Sequence, residues 1–206
     1  RKKYGNIYRM DRILRKENKS ADDYKVAKQA DTLMLFNNLD KQTVHSLITS
    51  LGYSVSKHFA EKNLHYYLER TSHGSTLSRI VHAYLAEQIQ LHDLSWQLYQ
   101  DALYSDYNDI QGGTTAEGIH TGVMAATLNT TIMAYAGVDI RQDMLTITPS
   151  LPQQWQKLSF KLLHRSTLYQ INLTHKEISI LSDKPSTILI NHQTHKLTAN
   201  TLLVLN

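Results

Sequence analysis

Apolar residues recur at helical spacing through the first two thirds of the chain and alternate with polar residues in the last third. The helical spacing predicts helices over residues 24–38, 40–51, 53–62, 77–90, 93–103 and 115–136. Acidic side chains stand at three predicted helix starts as N-caps: Asp22 or Asp23, Asp40 and Asp93. Residues 1–23 are basic and polar and predict a solvated connecting segment, whereas residues 63–70 lead into the next polar loop.

Short runs with alternating and β-branched residues follow residue 138, and polar turns separate them. They predict strands over residues 144–148, 158–163, 168–173, 178–181, 187–190, 196–198 and 202–205. Evenly spaced short strands are typical of a small antiparallel sandwich. The sequence therefore predicts a mainly α chain with a β module, divided into a helical domain over 1–140 and a β-sandwich domain over 141–206.

The composition is that of a globular protein: of 206 residues, 41% are hydrophobic and 19% charged, with a formal net charge of +4. The basic residues are scattered, whereas nucleic-acid binding needs a concentrated basic face. The lack of cysteine excludes disulfides and thiolate metal sites and fits a reducing, cytoplasmic location. The eleven histidines show no ligand spacing, and no membrane span or signal peptide is visible. We therefore expect no metal, nucleic-acid or membrane partner.

The most informative run is 109–122, between two helical patterns. It holds two adjacent glycines, a pair spaced as a capping box, and a histidine: Gly112, Gly113, Thr114, Glu117 and His120. The capping box predicts a helix that begins near Thr115 and carries Glu117 and His120 in its first turn. A glycine loop that leads into a helix start favours an anion, because backbone N–H groups and the helix dipole face it. A capped core helix with a tight loop is the alternative.

A second polar loop, Arg70-Thr71-Ser72-His73-Gly74-Ser75-Thr76-Leu77-Ser78, also leads into a helical pattern. It concentrates hydroxyls, an imidazole and a guanidinium, although an ordinary N-cap with spare hydroxyls would look similar. Two such helix starts can converge on one anionic or polyhydroxylated ligand. Helices in sequential pairs with polar loops at one end suggest part of an α/α barrel, and a plain helical bundle is the alternative.

Three runs, in this order, resemble glycoside hydrolase family 65: Tyr24-Lys25-Val26-Ala27-Lys28-Gln29-Ala30-Asp31, then 70–78, then 112–120. Pro149, Pro152 and Trp155 at the start of the β module fit as well, so the resemblance covers essentially the whole chain. The family contains inverting phosphorylases of maltose, trehalose, kojibiose and nigerose, and some hydrolases. The resemblance implies the second half of an (α/α)6 barrel followed by a small antiparallel β-sandwich. Because the chain begins at Arg1, we expect a piece of a longer protein.

The resemblance also implies roles for five residues. Lys28 and Gln29 match the pair that binds the glucosyl unit of the substrate. Ser75, Thr76 and His120 match the residues of the family's phosphate pocket. The general-acid glutamate is expected upstream of Arg1, so no catalytic residue is assigned here and the chain alone is expected to be inactive. Neither Glu117 nor Glu69 is assigned as the general acid.

The implied reaction is phosphorolysis with inversion, in which phosphate attacks the anomeric carbon while the acid protonates the glycosidic oxygen. Its product is β-glucose 1-phosphate, phosphate is the co-substrate, and no other cofactor is expected. The implied partners are the disaccharide, phosphate, the upstream part of the same protein and a second copy in a homodimer.

Two alternatives stay open beside the phosphorylase. One is a family 65 hydrolase of trehalose or kojibiose, which needs a catalytic base near the phosphate position, where Gly74 offers none. The other is a sugar-binding or purely structural helical module. The sequence does not fix the disaccharide, although residues 71–75 resemble the trehalose and kojibiose branches more than the maltose branch.

Overall fold

The computed structural model describes residues 3–5, 7–109, 116 and 118–206. They fall into two compact units, Arg1–Leu128 and Asn129–Asn206. The predicted boundary at 140/141 lies further along the chain, within the second unit, where Ala136 after the π-helical turn Thr131–Tyr135 is already buried with the strands. In the described part of the chain, none of the helices combines the length and apolar character that a membrane crossing requires.

The first unit is helical. Its helices are α1 (Met10–Lys16), α2 (Met34–Asn38), α3 (Lys41–Ser50), α4 (Phe59–Arg70), α5 (Leu77–Gln88), α6 (His92–Leu103) and α7 (Thr121–Thr130), whose last two residues belong to the second unit. Every residue of α5 from Ser78 to Glu87 is buried, and this helix packs against α2, α4 and α6. Leu33, Val44 and Leu64 pack into the same hydrophobic cluster as Leu85 of α5. Helix α5 is therefore the centre of the unit.

The second unit holds two four-stranded sheets. Its strands are β1 (Val138–Asp139), β2 (Thr146–Ile147), β3 (Lys157–His164), β4 (Thr167–Thr174), β5 (Ile178–Ser182), β6 (Ser186–Ile190), β7 (Gln193–Leu197) and β8 (Leu202–Leu205). The sheet orders are β1-β2-β6-β7 and β3-β4-β5-β8. Ile147 and Ile188 of one sheet share a core with Ile171 and Ile180 of the other, as a sandwich requires.

The β-unit departs from the predicted antiparallel arrangement at one strand pair. Strands β2 and β6 run parallel, with Thr146 opposite Leu189. Parallel neighbours need a long crossover connection, and β3, β4 and β5 of the second sheet provide it. The prediction of a wholly antiparallel sandwich is therefore wrong at this pair, and β1 had no counterpart among the predicted strands.

Several predicted helix bounds are wrong. The predicted helix 24–38 is helical only over Met34–Asn38, whereas 63–70, predicted as a lead-in, belongs to α4. The predicted helix 53–62 begins only at Phe59. Residues 1–23 are not merely a solvated connection, because Met10 and Leu14 of α1 are buried.

One of the three predicted N-cap positions is confirmed, and the other two are wrong. Asp40 is confirmed, since its side chain accepts the backbone N–H groups of Gln42 and Thr43. Asp93 lies inside the first turn of α6, which begins at His92. Asp22 and Asp23 lie within the 3-10 turn Ala21–Asp23, where Ser20 is the cap. Short polar side chains near a helix start therefore mark it only to within a residue or two.

The predicted capping box of Thr114 and Glu117, with Gly112 and Gly113, lies outside the described residues. The helix expected to begin near Thr115 begins instead at Thr121. His120 therefore precedes the helix rather than lying in its first turn.

Candidate functional site

Two segments that are distant in sequence run side by side at the site. Ala27 forms a parallel β-bridge with Thr71, and the backbone N–H of Ser72 donates to the Ala27 carbonyl at 2.8 Å. The N–H of Gly74 donates in the same way to the carbonyl of the next residue, Lys28, at 2.9 Å. These bonds explain why 24–33 is not helical: its backbone groups pair with the 70–74 loop instead.

Gly74 allows Lys28 to lie directly against this loop. A Cβ atom at position 74 would stand 3.1 Å from Cγ of Lys28 and 3.5 Å from its carbonyl oxygen. The Lys28 side chain would therefore have to shift by a few tenths of an ångström to admit a side chain at position 74. Gly74 and Lys28 therefore pack closely against each other.

Two buried histidines hold the start of α5 from within the fold. The Nδ1 atom of His73 lies 2.8 Å from the Ser78 hydroxyl, and Nδ1 of His82 donates to the Ser78 carbonyl at 2.8 Å. The two imidazole rings pack edge to face, with centroids 5.1 Å apart. His73 itself has φ 48, a left-handed conformation that is uncommon outside glycine. This bonding fixes the backbone that carries Ser75 and Thr76.

A buried cation lies at the same helix start. Arg79 is 1% exposed, its guanidinium stands 4.7 Å from the Tyr8 ring centre, and its Nε lies 3.8 Å from Asp101. Desolvation raises the pKa of the Asp101 carboxyl above its usual value, although the charge of Arg79 opposes the shift. Arg79 thereby ties α5 to α6 and to the segment before α1.

His120 is held by an acidic side chain that sequence reasoning missed. One oxygen of Asp106 lies 2.6 Å from Nδ1 of His120, and the other accepts the backbone N–H of His120 at 2.7 Å. The His120 side chain is 29% exposed and that of Asp106 is 15% exposed. The only sequence signal was an acidic residue in the loop that follows α6.

The five residues predicted for the sugar and phosphate sites line one cavity of about 960 Å³: Lys28, Gln29, Ser75, Thr76 and His120. The amide of Gln29 is oriented by a 2.8 Å bond to Asp31. The cavity therefore presents hydroxyls, an amide, an ammonium group and an imidazole to one volume, which suits a polyhydroxylated ligand together with an anion.

Further charged residues line this cavity. Arg9 contributes a second cation, and Asp11 and Asp22 contribute carboxylates. The Nε atom of Arg9 lies 3.7 Å from Asp11, and both side chains are partly exposed, so their attraction is weak. Glu69 lines a different cavity, and its side chain is 72% exposed beside Arg70.

Among the described residues, no three or more histidine or acidic side chains cluster in a way that could hold a metal ion. The side chains at the cavity instead suit hydrogen bonding and charge pairing with an organic or phosphate ligand.

Comparison with known proteins identifies the family. The model of the glycosyl hydrolase family 65 central catalytic domain matches residues 1–129, and that of the family's C-terminal domain matches residues 138–198. The chain belongs to glycosyl hydrolase family 65, which confirms the resemblance drawn from the three sequence runs.

Its curated relatives include disaccharide phosphorylases. The chain is 43% identical over 176 residues to a trehalose 6-phosphate phosphorylase of Lactococcus lactis, covering 85% of this chain and 23% of that protein. It is 30% identical over 172 residues to a kojibiose phosphorylase of Escherichia coli, covering 84% of this chain and 21% of that protein. The chain thus spans less than a quarter of the length of either relative.

A solved structure shares the fold. It is a provisionally named kojibiose phosphorylase from the human microbiome, which matches with a TM-score of 0.69 at 23% identity. The match covers 88% of this chain and 25% of that one.

Proposed function

We propose that this chain supplies the phosphate pocket and part of the glucosyl subsite of an inverting α-glucosyl disaccharide phosphorylase. The helical unit would form the second half of an (α/α)6 barrel that the upstream part of the protein completes. The observation that carries the proposal is the convergence of two helix-start loops and the Lys28-Gln29 segment on one cavity. Family membership and the phosphorylase relatives support it.

The lining side chains divide by chemistry. The Ser75 and Thr76 hydroxyls are proposed to donate to phosphate, since oxyanions prefer several convergent donors, and the His120 imidazole is proposed to accept the phosphate O–H. Lys28 and Gln29 donate to the hydroxyls of the glucosyl unit, and the Gly74 contact keeps Lys28 beside the phosphate loop. With these roles, the nucleophile would lie next to the sugar that it attacks.

The proposed reaction exchanges one bond at the anomeric carbon. A phosphate oxygen forms a bond to this carbon as the bond to the glycosidic oxygen breaks, and the departing oxygen takes a proton from a glutamic acid upstream of this chain. The product is β-glucose 1-phosphate, and the configuration inverts. Phosphate is itself a nucleophile, so no protein base and no further cofactor is required. Because the proposed general acid lies upstream of this chain, the chain alone would be inactive.

Trehalose 6-phosphate is the first substrate to test. The relative from Lactococcus lactis, at 43% identity, is named for that substrate. Arg9 is the cavity cation that we assign to a phosphate group on the acceptor sugar, because it lines the cavity together with the proposed sugar-binding pair.

The deciding experiment uses the full-length protein. It is incubated with trehalose 6-phosphate, trehalose, maltose, kojibiose and nigerose, with and without inorganic phosphate, and glucose 1-phosphate and glucose are measured separately. We expect glucose 1-phosphate only when phosphate is present. Glucose release that is indifferent to phosphate would identify a hydrolase, the second candidate, and would withdraw the roles given to Ser75, Thr76 and His120.

A further inference from the structure

Asp106 binds His120 through two atoms at once. The residue follows α6 by three positions, and both of its carboxylate oxygens contact His120, at 2.6 Å to Nδ1 and 2.7 Å to the backbone nitrogen. The two residues are 14 positions apart in sequence. One side chain thus fixes both the backbone and the ring of the residue that precedes α7.

This contact also sets the proton on the ring. A carboxylate only accepts hydrogen bonds, so Nδ1 of His120 must carry a proton. The second ring nitrogen, Nε2, is the atom that Asp106 does not contact, and its direction follows from the position in which Asp106 holds the ring. A histidine that binds a ligand through one nitrogen is commonly oriented in this way through the other.

We infer that Asp106 is the positioning residue of the phosphate pocket: it orients His120 so that Nε2, the acceptor nitrogen of the neutral imidazole that carries its proton on Nδ1, faces the O–H group of a bound phosphate. The inference rests on the proposed phosphorylase function. Asp106 itself is not among the residues that line the cavity, so it acts through His120. At metal sites, loss of the partner that orients a ligating histidine lowers metal affinity or activity by about 10- to 100-fold, and we expect an effect of the same size here.

Asp106→Asn is the sharpest test in the full-length protein. The asparagine oxygen can still accept the His120 backbone N–H, but its NH2 group would donate to Nδ1 and move the ring proton to Nε2. We expect the KM for inorganic phosphate to rise by about 10- to 100-fold, while the KM for the disaccharide is unchanged.

Two further variants control the test. Asp93→Asn makes the same chemical change at an exposed position in the first turn of α6 and should leave both KM values unchanged. Asp106→Glu retains a carboxylate and should give a phosphate KM between those of the wild type and Asp106→Asn. If the Asp106→Asn protein does not fold, the phosphate KM of Asp106→Glu still tests the role of Asp106.

The possible outcomes distinguish the positioning role of Asp106 from the proposed phosphorylase function. A wild-type phosphorylase in which neither Asp106 variant changes the phosphate KM would overturn the positioning role alone. An equal rise in both KM values would also overturn it, since that is the result of general structural damage. Phosphate-independent glucose release by the wild type would overturn the proposed function and the positioning role together.

Discussion

The two units of the chain bury their polar side chains very differently. Within the helical unit, buried polar residues crowd into positions 71–82: Thr71, Ser72, His73, Thr76, Ser78, Arg79 and His82. In the β-unit the core is made of residues such as Ile147, Ile171 and Ile188, and its buried polar residues carry only hydroxyls: Thr130, Thr167, Ser179 and Ser182. Burying polar groups costs free energy unless they are paired. The helical unit bears that cost where the candidate site lies, which is the pattern expected of a functional region beside a structural one.

The largest effect that we expect is on the stability of the β-unit, from Gly137→Ala. Gly137 has φ +65, and a Cβ atom there would lie 1.7 Å from the carbonyl oxygen of Thr148. The backbone must move to admit it, which should cost about 3 kcal/mol or more in the free energy of unfolding. Denaturant unfolding measures the change.

Gly52→Ala is the matched control for that change. Gly52 has φ +84 but nothing within 4 Å of a Cβ, so only the conformational cost of about 1–2 kcal/mol applies. Equal losses in the two variants would show that the close approach to Thr148 has no energetic weight.

In the helical unit the largest expected effect is on activity. His120→Ala removes the imidazole from the cavity and should lower kcat/KM for phosphate by about 100-fold, the scale of a hydrogen bond to a charged group. The melting temperature should change little, because the His120 side chain is partly exposed. Initial rates at varied phosphate concentration measure the effect. A loss that falls on the disaccharide KM instead would remove His120 from the phosphate pocket.

The contrast between the units also explains what the sequence predicted well. Strand alternation is a local signal, and the predicted strands 158–163 and 168–173 match Lys157–His164 and Thr167–Thr174 closely. The parallel pairing of β2 with β6 was missed because local alternation does not identify a strand's neighbour.

At the candidate site, residue types could be predicted but their conformations could not. The family resemblance singled out Lys28, Ser75 and His120, and the structure brings all three to one cavity. Residues 24–33 have helical spacing, yet the bonds of Ala27 to the 70–72 backbone override it. Asp106 was missed because its contact with His120 exists only in the folded chain.

Ser78→Ala tests whether the buried polar cluster supports the site. The substitution removes the hydroxyl that lies 2.8 Å from Nδ1 of buried His73. Loss of a buried hydrogen-bond partner should cost about 2 kcal/mol of unfolding free energy. Thermal unfolding and the phosphate KM are measured together. Ser46→Ala, on the exposed face of α3, is the control and should leave both unchanged. A stable Ser78→Ala protein would mean that the cluster contributes little.

The smallest expected effect concerns only the choice of substrate. Arg9→Gln removes a partly exposed cation from the cavity lining, and we expect it to lower kcat/KM for trehalose 6-phosphate by about 10-fold. The value for unphosphorylated trehalose should stay the same, because the glutamine still fits the space and no charge is needed there. Arg12→Gln makes the same change at an exposed position outside the cavity lining and should affect neither substrate. An equal loss of kcat/KM for both substrates would mean that Arg9 shapes the cavity but does not bind a phosphate group on the substrate.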